Sequence, residues 1–136
     1  MHITIEDNYL VYIYLKEQSK YVDNIGGESS VRCFLLYDHV GNWIGVRITN
    51  RDTDGNIINL PNIGAIDYPM HNGEVVNLND EIILKFDKDI GVDNFKEQDC
   101  NLDIHPEGIY GVEMILWAGN NINLKEKVRP FIKRDI

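Results

Sequence analysis

The chain has 136 residues with 13 basic and 22 acidic side chains, a formal net charge of −9 and a pI near 4.7. This acidity argues against direct nucleic-acid binding, because phosphate contacts need a basic surface. No apolar run approaches the ~20 residues of a membrane-spanning helix, and the N-terminal segment lacks the pattern of a signal peptide. We therefore expect one cytoplasmic domain over residues 1–136, with no nucleic-acid or membrane partner.

The residue types favour strands joined by frequent turns. The chain holds nineteen Ile and ten Val but only two Ala. Branched side chains suit a pleated sheet, whereas Ala is the best helix former. Fifteen Asn, thirteen Asp and eleven Gly supply residues that are typical of turns.

Alternating apolar residues predict a series of short strands. Turn-forming residues separate these segments, and the polar stretch 92–98 could hold one helical turn. Residues 61–80 form a looser connector that carries at most one short strand. In chain order, we predict strands over residues 1–5, 9–16, 31–37, 43–49, 57–60, 74–78, 81–87, 101–104, 109–117 and 122–128.

Two of the predicted hairpins resemble each other. When residues 33–48 are set over residues 99–114, four of sixteen positions are identical, where roughly one is expected by chance. The identical pairs are Leu36 with Leu102, His39 with His105, Gly45 with Gly111, and Val46 with Val112. We therefore predict two repeat units, at about 1–60 and 80–130.

This repeat predicts an all-β fold of two antiparallel β-meander units related by pseudo-twofold symmetry. A single meander has one apolar face that it cannot bury alone, but two copies can cover each other. The sequence leaves open whether they pack as a sandwich or as a barrel.

The first unit resembles a short bacterial family of domains of unknown function. The resemblance covers about 50 residues and implies a small β-meander with no established reaction; the second unit matches only faintly. The matching features are the start Met1-x-Ile3-Thr4, the strand at residues 10–15, and the hairpin Tyr37-Asp38-x-x-Gly41-Asn42-x-x-Gly45-Val46-x-Ile48-x-Asn50.

Histidines at equivalent hairpin positions are the candidate metal ligands. His39 and His105 lie near Asp38 and Asp103, and histidine is the commonest protein ligand for metals. Zinc needs three or four convergent ligands, and the sequence has no HxH, HxxxH or HExxH pattern. We predict no metal and no cofactor, and a metal-dependent enzyme using His39 and His105 stays an alternative.

The two cysteines fall one position apart in the alignment of the repeats. Cys33 and Cys100 form no CxxC motif, and isolated cysteines in a cytoplasmic chain are usually buried reduced thiols. A disulfide between Cys33 and Cys100 is the other interpretation, and the sequence does not decide between reduced thiols and a disulfide.

The distribution of charge points to a basic partner. Residues 125–136 hold five bases and two acids, so the other 124 residues hold 8 bases and 20 acids, a balance of −12. Acids concentrate at residues 87–107, and such a segment attracts basic partners. We predict that contact residues are five acids with two aromatic anchors: Asp87, Asp89, Asp93, Glu97, Asp103, Trp43 and Tyr110.

These observations favour a non-catalytic, acidic protein-binding module. Its specific form would be an immunity or inhibitor protein that neutralises a basic, nuclease-type bacterial toxin, by analogy with other small acidic immunity proteins. The alternative is a structural domain that forms homo-oligomers such as a homodimer, since meander edges invite pairing between copies.

Overall fold

Eight antiparallel strands form a single curled sheet, a half-barrel, in the computed structural model, which describes residues 1–21, 27–126 and 128–133. The predicted all-β antiparallel fold is confirmed. The strands are β1 His2–Glu6, β2 Leu10–Tyr14, β3 Gly27–Tyr37, β4 Trp43–Asp52, β5 Glu74–Asn77, β6 Glu81–Lys85, β7 Asn94–His105 and β8 Gly108–Ile115, with 3₁₀ turns at Gln18–Tyr21 and Arg129–Phe131. None of the helical turns in these described ranges could cross a bilayer.

The strand order is symmetric about the centre of the sheet. It runs β1-β2-β8-β7-β3-β4-β6-β5. If β1, β2, β3 and β4 are exchanged with β5, β6, β7 and β8 respectively, the same order results, read from the other edge of the sheet. A twofold axis between β3 and β7 requires this. The first hairpin of each half therefore pairs with the other half: β2 pairs with β8, and β6 pairs with β4.

The register refines the alignment of the two repeats. Gly45 and Gly111 are equivalent, because Val46 faces Leu84 on β6 just as Val112 faces Ile13 on β2. On the other side Val46 faces Leu35, whereas Val112 faces Leu102. Leu35 is therefore the counterpart of Leu102, and the predicted match of Leu36 with Leu102 is one residue out.

The β3–β4 hairpin has one residue more than the β7–β8 hairpin, and this residue lies in its loop. The corrected alignment also changes which residue corresponds to each cysteine. Counting along β3 and β7 from Leu35 and Leu102, Cys33 becomes the counterpart of Cys100. Both are buried free thiols near the pseudo-twofold axis. The pKa of the Cys33 thiol is raised, mainly by a hydrogen bond with Cys100 and to a smaller extent by burial.

The concave face of the sheet holds the hydrophobic core. Alternate residues of the strands point inward, so Ile3, Ile13, Leu35 and Ile48 are fully buried. The open side is covered by the segment after β8, in which the Phe131 ring lies 5.9 Å from that of Phe86. The core therefore lies between the sheet and this covering chain.

We call residues 121–126 and 128–133 the C-terminal strap, because they connect distant strands across the open side. Leu124 bridges to Trp43 at the start of β4, and Ile132 bridges to Ile3 in β1, both in parallel. Lys125 forms an ion pair with the buried carboxylate of Asp38.

Three predicted local elements differ in the structure. Residues 57–60 and the described part of 122–128, which leaves out residue 127, are not strands, because each contributes only one isolated bridge, at Ile57 and at Leu124. The predicted helical turn at 92–98 is wrong: from Asn94 onward these residues belong to β7, where pairing with β3 overrides their polar composition.

Candidate partner-binding surface

Two of the predicted acidic contact residues stabilise a turn between β6 and β7. Asp87 is only 1% exposed, and its Oδ1 accepts hydrogen bonds from Asn72 Nδ2 at 2.7 Å and the Asp89 N–H at 2.9 Å. Asp89 is exposed, but its Oδ2 accepts from Asn72 Nδ2 at 2.8 Å. The prediction that Asp87 contacts a partner is wrong, because its carboxylate is used inside the fold.

The other three predicted acids are spread along β7. Asp93 is exposed just before the strand, and Glu97 pairs with Arg32 at 2.7 Å. Asp103 lies six residues beyond Glu97, a separation of about 20 Å at ~3.3 Å per residue. The five acids therefore do not form one compact face.

Asp103 lies in a polar cluster on the convex face of the sheet. Its carboxylate accepts a hydrogen bond from the Tyr12 hydroxyl. Burial raises the pKa of Asp103, and the nearby Glu113 carboxylate raises it further, while His105 lowers it. This half-buried carboxylate is a packed group rather than an open contact residue.

Both predicted aromatic anchors are buried. Trp43 is 0% exposed, its ring meets Phe86 edge-on at 4.6 Å, and its Nε1 donates to the Gly45 carbonyl oxygen at 2.8 Å. Tyr110 is 7% exposed, stacks on His105 at 4.0 Å and donates its hydroxyl proton to Glu107. The assignment of Trp43 and Tyr110 as anchors is wrong, because neither ring is available to a partner.

The candidate histidines do not come together. His39 follows Tyr37, which pairs with Asn94 at the start of β7, whereas His105 ends β7 eleven residues later, about 35 Å along the strand. Among the described residues, no group of three or more His, Cys, Asp or Glu could hold a metal ion. His39 and His105 therefore do not combine in one metal site.

Four large apolar side chains are exposed at one end of the sheet, where β2 and β7 begin and β8 ends, and we call them the apolar surface. Tyr9 is 49% exposed, Phe95 56%, Ile115 54% and Trp117 46%. Ile115 pairs with Leu10 on β2, and the Leu116 N–H donates to the Tyr9 carbonyl oxygen at 2.8 Å. Ile115 and Trp117 therefore lie on one face, whereas Tyr9 lies opposite Leu116, in the adjacent turn between β1 and β2.

A buried glutamine fixes the chain that carries Trp117. Gln98 is 0% exposed, and its Nε2 donates to the Ile115 carbonyl oxygen at 2.6 Å. Its Oε1 accepts from the Trp117 N–H at 3.2 Å and from Asn120 Nδ2 at 2.9 Å. The Gln98 side chain thus replaces the main-chain hydrogen bonds that β8 loses where it separates from β7. Phe95 lies three residues before Gln98 on β7.

Acidic side chains border the apolar surface. Glu6 pairs with Leu10, so it lies one strand beyond Ile115, and Asp7 follows in the exposed β1–β2 turn. Glu113 precedes Ile115 by two residues on the same face of β8. Glu97 is paired with Arg32, whereas Glu6 and Asp7 are exposed at the end of β1 and in the turn that follows it.

A groove adjoins this surface on the other side of the β1–β2 turn. It has a volume of about 930 Å³ and lies between β1 with its turn and the C-terminal strap. Its lining residues are Thr4, Ile5, Glu6, Asp7, Asn8, Asn121, Ile122, Asn123, Leu124, Ile132 and Lys133.

Sequence reasoning missed the exposed aromatic residues, although a signal for Trp117 was present. The alternation of β8 places Glu113, Ile115 and Trp117 on one face, opposite the buried Met114 and Leu116. The same signal existed for Phe95, which shares the outward face of β7 with Glu97 and Asn101, but the prediction of a helical turn over residues 92–98 concealed it.

Comparisons with known proteins identify no relative of this chain. No family model, no curated protein and no solved structure matches it. The resemblance of the first unit to a bacterial domain family therefore stays a prediction.

Proposed function

We propose that this protein is a non-catalytic binding module for a basic protein. In its specific form, it is an immunity protein that acts in the cytoplasm and neutralises a nuclease-type toxin. The observation that carries the proposal is the apolar surface of Tyr9, Phe95, Ile115 and Trp117 with Glu6, Asp7 and Glu113 at its border. The toxin target rests on analogy with other acidic immunity proteins.

The proposal follows from how protein interfaces distribute energy. Trp and Tyr are enriched among the residues that contribute most to binding, and they act best when surrounded by a rim that excludes water. Acidic groups at the rim steer a basic partner and accelerate association, an effect that salt weakens. Trp117 and Tyr9 would therefore supply the anchors, and Glu6, Asp7 and Glu113 the steering field.

A salt-dependent pull-down with matched variants tests this function. The tagged protein is incubated with lysate of its native cell at low and high salt, beside the double variant Tyr9→Ala/Trp117→Ala. The control is Val40→Ala/Ile57→Ala, which removes two apolar side chains that are 62% and 70% exposed elsewhere. We expect a basic protein that the wild type and control retain at low salt, that the test variant loses, and that high salt weakens.

The activity of the captured protein decides the specific form of the proposal. We expect nuclease activity that the wild type inhibits and that Tyr9→Ala/Trp117→Ala inhibits at least tenfold less well, because two central aromatic anchors are removed. Retention of the same proteins by both double variants would overturn the assigned surface. A captured protein whose activity is unaffected would overturn the inhibitor role.

Self-association is the second candidate, because the same apolar surface could pair with a second copy. Exposed apolar patches commonly mark oligomer contacts. Sedimentation of the wild type across a concentration series separates the candidates. A dimer that Trp117→Ala converts to a monomer would favour self-association, and a monomer at high concentration would remove it.

A further inference from the structure

The groove beside the apolar surface is bounded by two extended segments of chain. On one wall, the Lys133 N–H donates to the Ile3 carbonyl oxygen at 2.9 Å, so the strap covers the first part of β1. On the other wall, the Trp43 N–H donates to the Asn123 carbonyl oxygen at 2.9 Å. Between these contacts the walls separate and leave the cavity of about 930 Å³.

The edge of β1 presents main-chain groups to this cavity. The Ile3 carbonyl points away from β2, because it accepts from Lys133. Residues two apart in a strand direct their main-chain groups to the same side, so the N–H and C=O of Ile5 also face the groove. In the described part of the chain, no main-chain hydrogen bond closes this edge beyond Lys133.

The charges of the groove are unequal at its two ends. The carboxylates of Glu6 and Asp7 lie at the turn, whereas Lys133 lies near Ile3, where the strap meets β1. The amides of Asn121 and Asn123 line the opposite wall and can donate to and accept from a peptide main chain. A basic segment would place its cations at the turn, away from Lys133.

We propose that an extended, basic segment of the partner binds in this groove as an added strand beside β1. The inference rests on the proposed function and names how that partner is recognised. The partner's main chain pairs with the N–H and C=O of Ile5, while its Lys or Arg side chains reach Glu6 and Asp7. The turn that separates the groove from Tyr9 lets one partner occupy the groove and the apolar surface together.

The dimensions suit a short segment. Residues 4–8 form the β1 side of the groove, but Asp7 and Asn8 have positive φ, so the extended part is residues 4–6, which span about 10 Å. The apolar floor contains Ile5, Ile122 and Leu124, which can take alternate side chains of the added strand. The best occupant therefore alternates basic and branched apolar residues.

A blocked synthetic hexapeptide of alternating Arg and Val tests the groove without the natural partner. Its binding to the full chain is measured by fluorescence anisotropy at low salt. We expect Glu6→Gln/Asp7→Asn to weaken binding about tenfold, because two charge-assisted contacts are lost. Asp7 has a positive φ of 51°, a conformation that Asn tolerates well, so this variant should keep the turn.

Two controls separate strand addition from general attraction between opposite charges. Asp54→Asn/Asp80→Asn makes the same change in net charge away from the groove and should leave affinity within twofold. A peptide N-methylated at alternate residues keeps its charge but loses donors for main-chain pairing, and should bind about tenfold more weakly. Amide exchange should show Ile5 exchanging rapidly in the free protein and slowly with the peptide.

The inference is wrong if both double variants weaken binding equally, or if the N-methylated peptides bind like the parent. Slow exchange of the Ile5 amide in the free protein would also overturn it, because the chain itself would then close the edge. These failures leave the proposed function standing if Tyr9→Ala/Trp117→Ala still abolishes partner capture. If the wild type binds the peptide normally but captures no basic protein from the lysate, the proposed function is rejected instead.

Discussion

A buried carboxylate at Asp38 holds the tip of the first hairpin. Its Oδ1 accepts from the N–H groups of Val40 at 3.0 Å and Asn42 at 2.9 Å, and Lys125 approaches the other side. Burial alone would raise the pKa of Asp38, but the Lys125 ion pair and these N–H groups lower it to about 2. One residue thus fixes both the turn and the strap.

We predict that Asp38→Asn destabilises the protein at pH 7 by about 2 kcal/mol, because Lys125 loses its buried partner. The native pKa of Asp38 lies below its ordinary value of 3.8. Its charged form therefore stabilises the fold above about pH 4, and this contribution is lost as the pH falls toward 2. Urea unfolding across pH 2–7 should show the difference between variant and wild type shrinking in acid.

Asp52 offers a matched control for this prediction. It begins the same Asp-x-x-Gly-Asn turn and accepts from Asp54 and Asn56 N–H groups at 2.9 Å, but the turn is exposed. Asp52→Asn should cost much less than Asp38→Asn, as substitutions at exposed sites usually do. Equal losses for both variants would contradict the role of Lys125.

Asp103 should respond to pH in the opposite direction. Burial and then Glu113 raise its pKa, so its ionisation opposes folding as the pH rises through the native value. Asp103→Asn should therefore stabilise the protein at pH 7, by less than about 1 kcal/mol, and have little effect at pH 3. Thermal unfolding at the two pH values checks this, and a loss of stability at pH 7 would show that the Tyr12 contact outweighs the repulsion.

At the scale of elements, local chemistry predicts hairpins but not their partners. The β3–β4 hairpin is evident from alternation on both sides of Asp38-x-x-Gly41-Asn42, where Gly41 takes a φ of 82°. The pairing of β2 with β8 joins residues more than 90 positions apart, and no local pattern encodes it. The sequence therefore indicated strands and the repeat, whereas the exchange of hairpins required the structure.

The candidate site was missed for the same physical reason. Whether an aromatic residue is buried depends on what covers it: the strap bridges to Trp43, whereas Trp117 lies beyond the last paired residue of β8. In the sequence, a buried tryptophan and an exposed tryptophan give the same signal. Only the alternation through Ile115 gave a local hint that Trp117 faces outward.

Gln98 links the core to the apolar surface at the scale of one strand. We predict that Gln98→Met costs about 2 kcal/mol, because it leaves the Ile115 carbonyl and the Trp117 N–H without their buried partner. Urea unfolding measures this loss, and Gln18→Met at an exposed turn should change stability by less than about 0.5 kcal/mol. Partner capture should also weaken, since Trp117 is no longer held; unchanged capture would show that its position does not depend on Gln98.

The whole molecule is built like two copies of one four-stranded unit that have exchanged their first hairpins. Because β2 lies against β8 and β6 against β4, neither half has a complete sheet of its own. The joining segment is anchored at Ile63, which is buried and whose N–H and C=O both bond to the Asn77 side chain. Gly64 and Ala65, which follow it, are exposed.

We predict that the protein tolerates a break between Gly64 and Ala65. Coexpressed fragments 1–64 and 65–136 should form a one-to-one complex with the far-ultraviolet spectrum of the intact chain, because the exchanged hairpins interlock the halves. Each fragment alone should lack cooperative unfolding, since β2 would lose β8 and β6 would lose β4, which leaves each first hairpin isolated, and an isolated hairpin is marginally stable. Circular dichroism and size-exclusion chromatography measure both properties, and a fragment 1–64 that folds alone as a monomer would show that each half builds its own sheet.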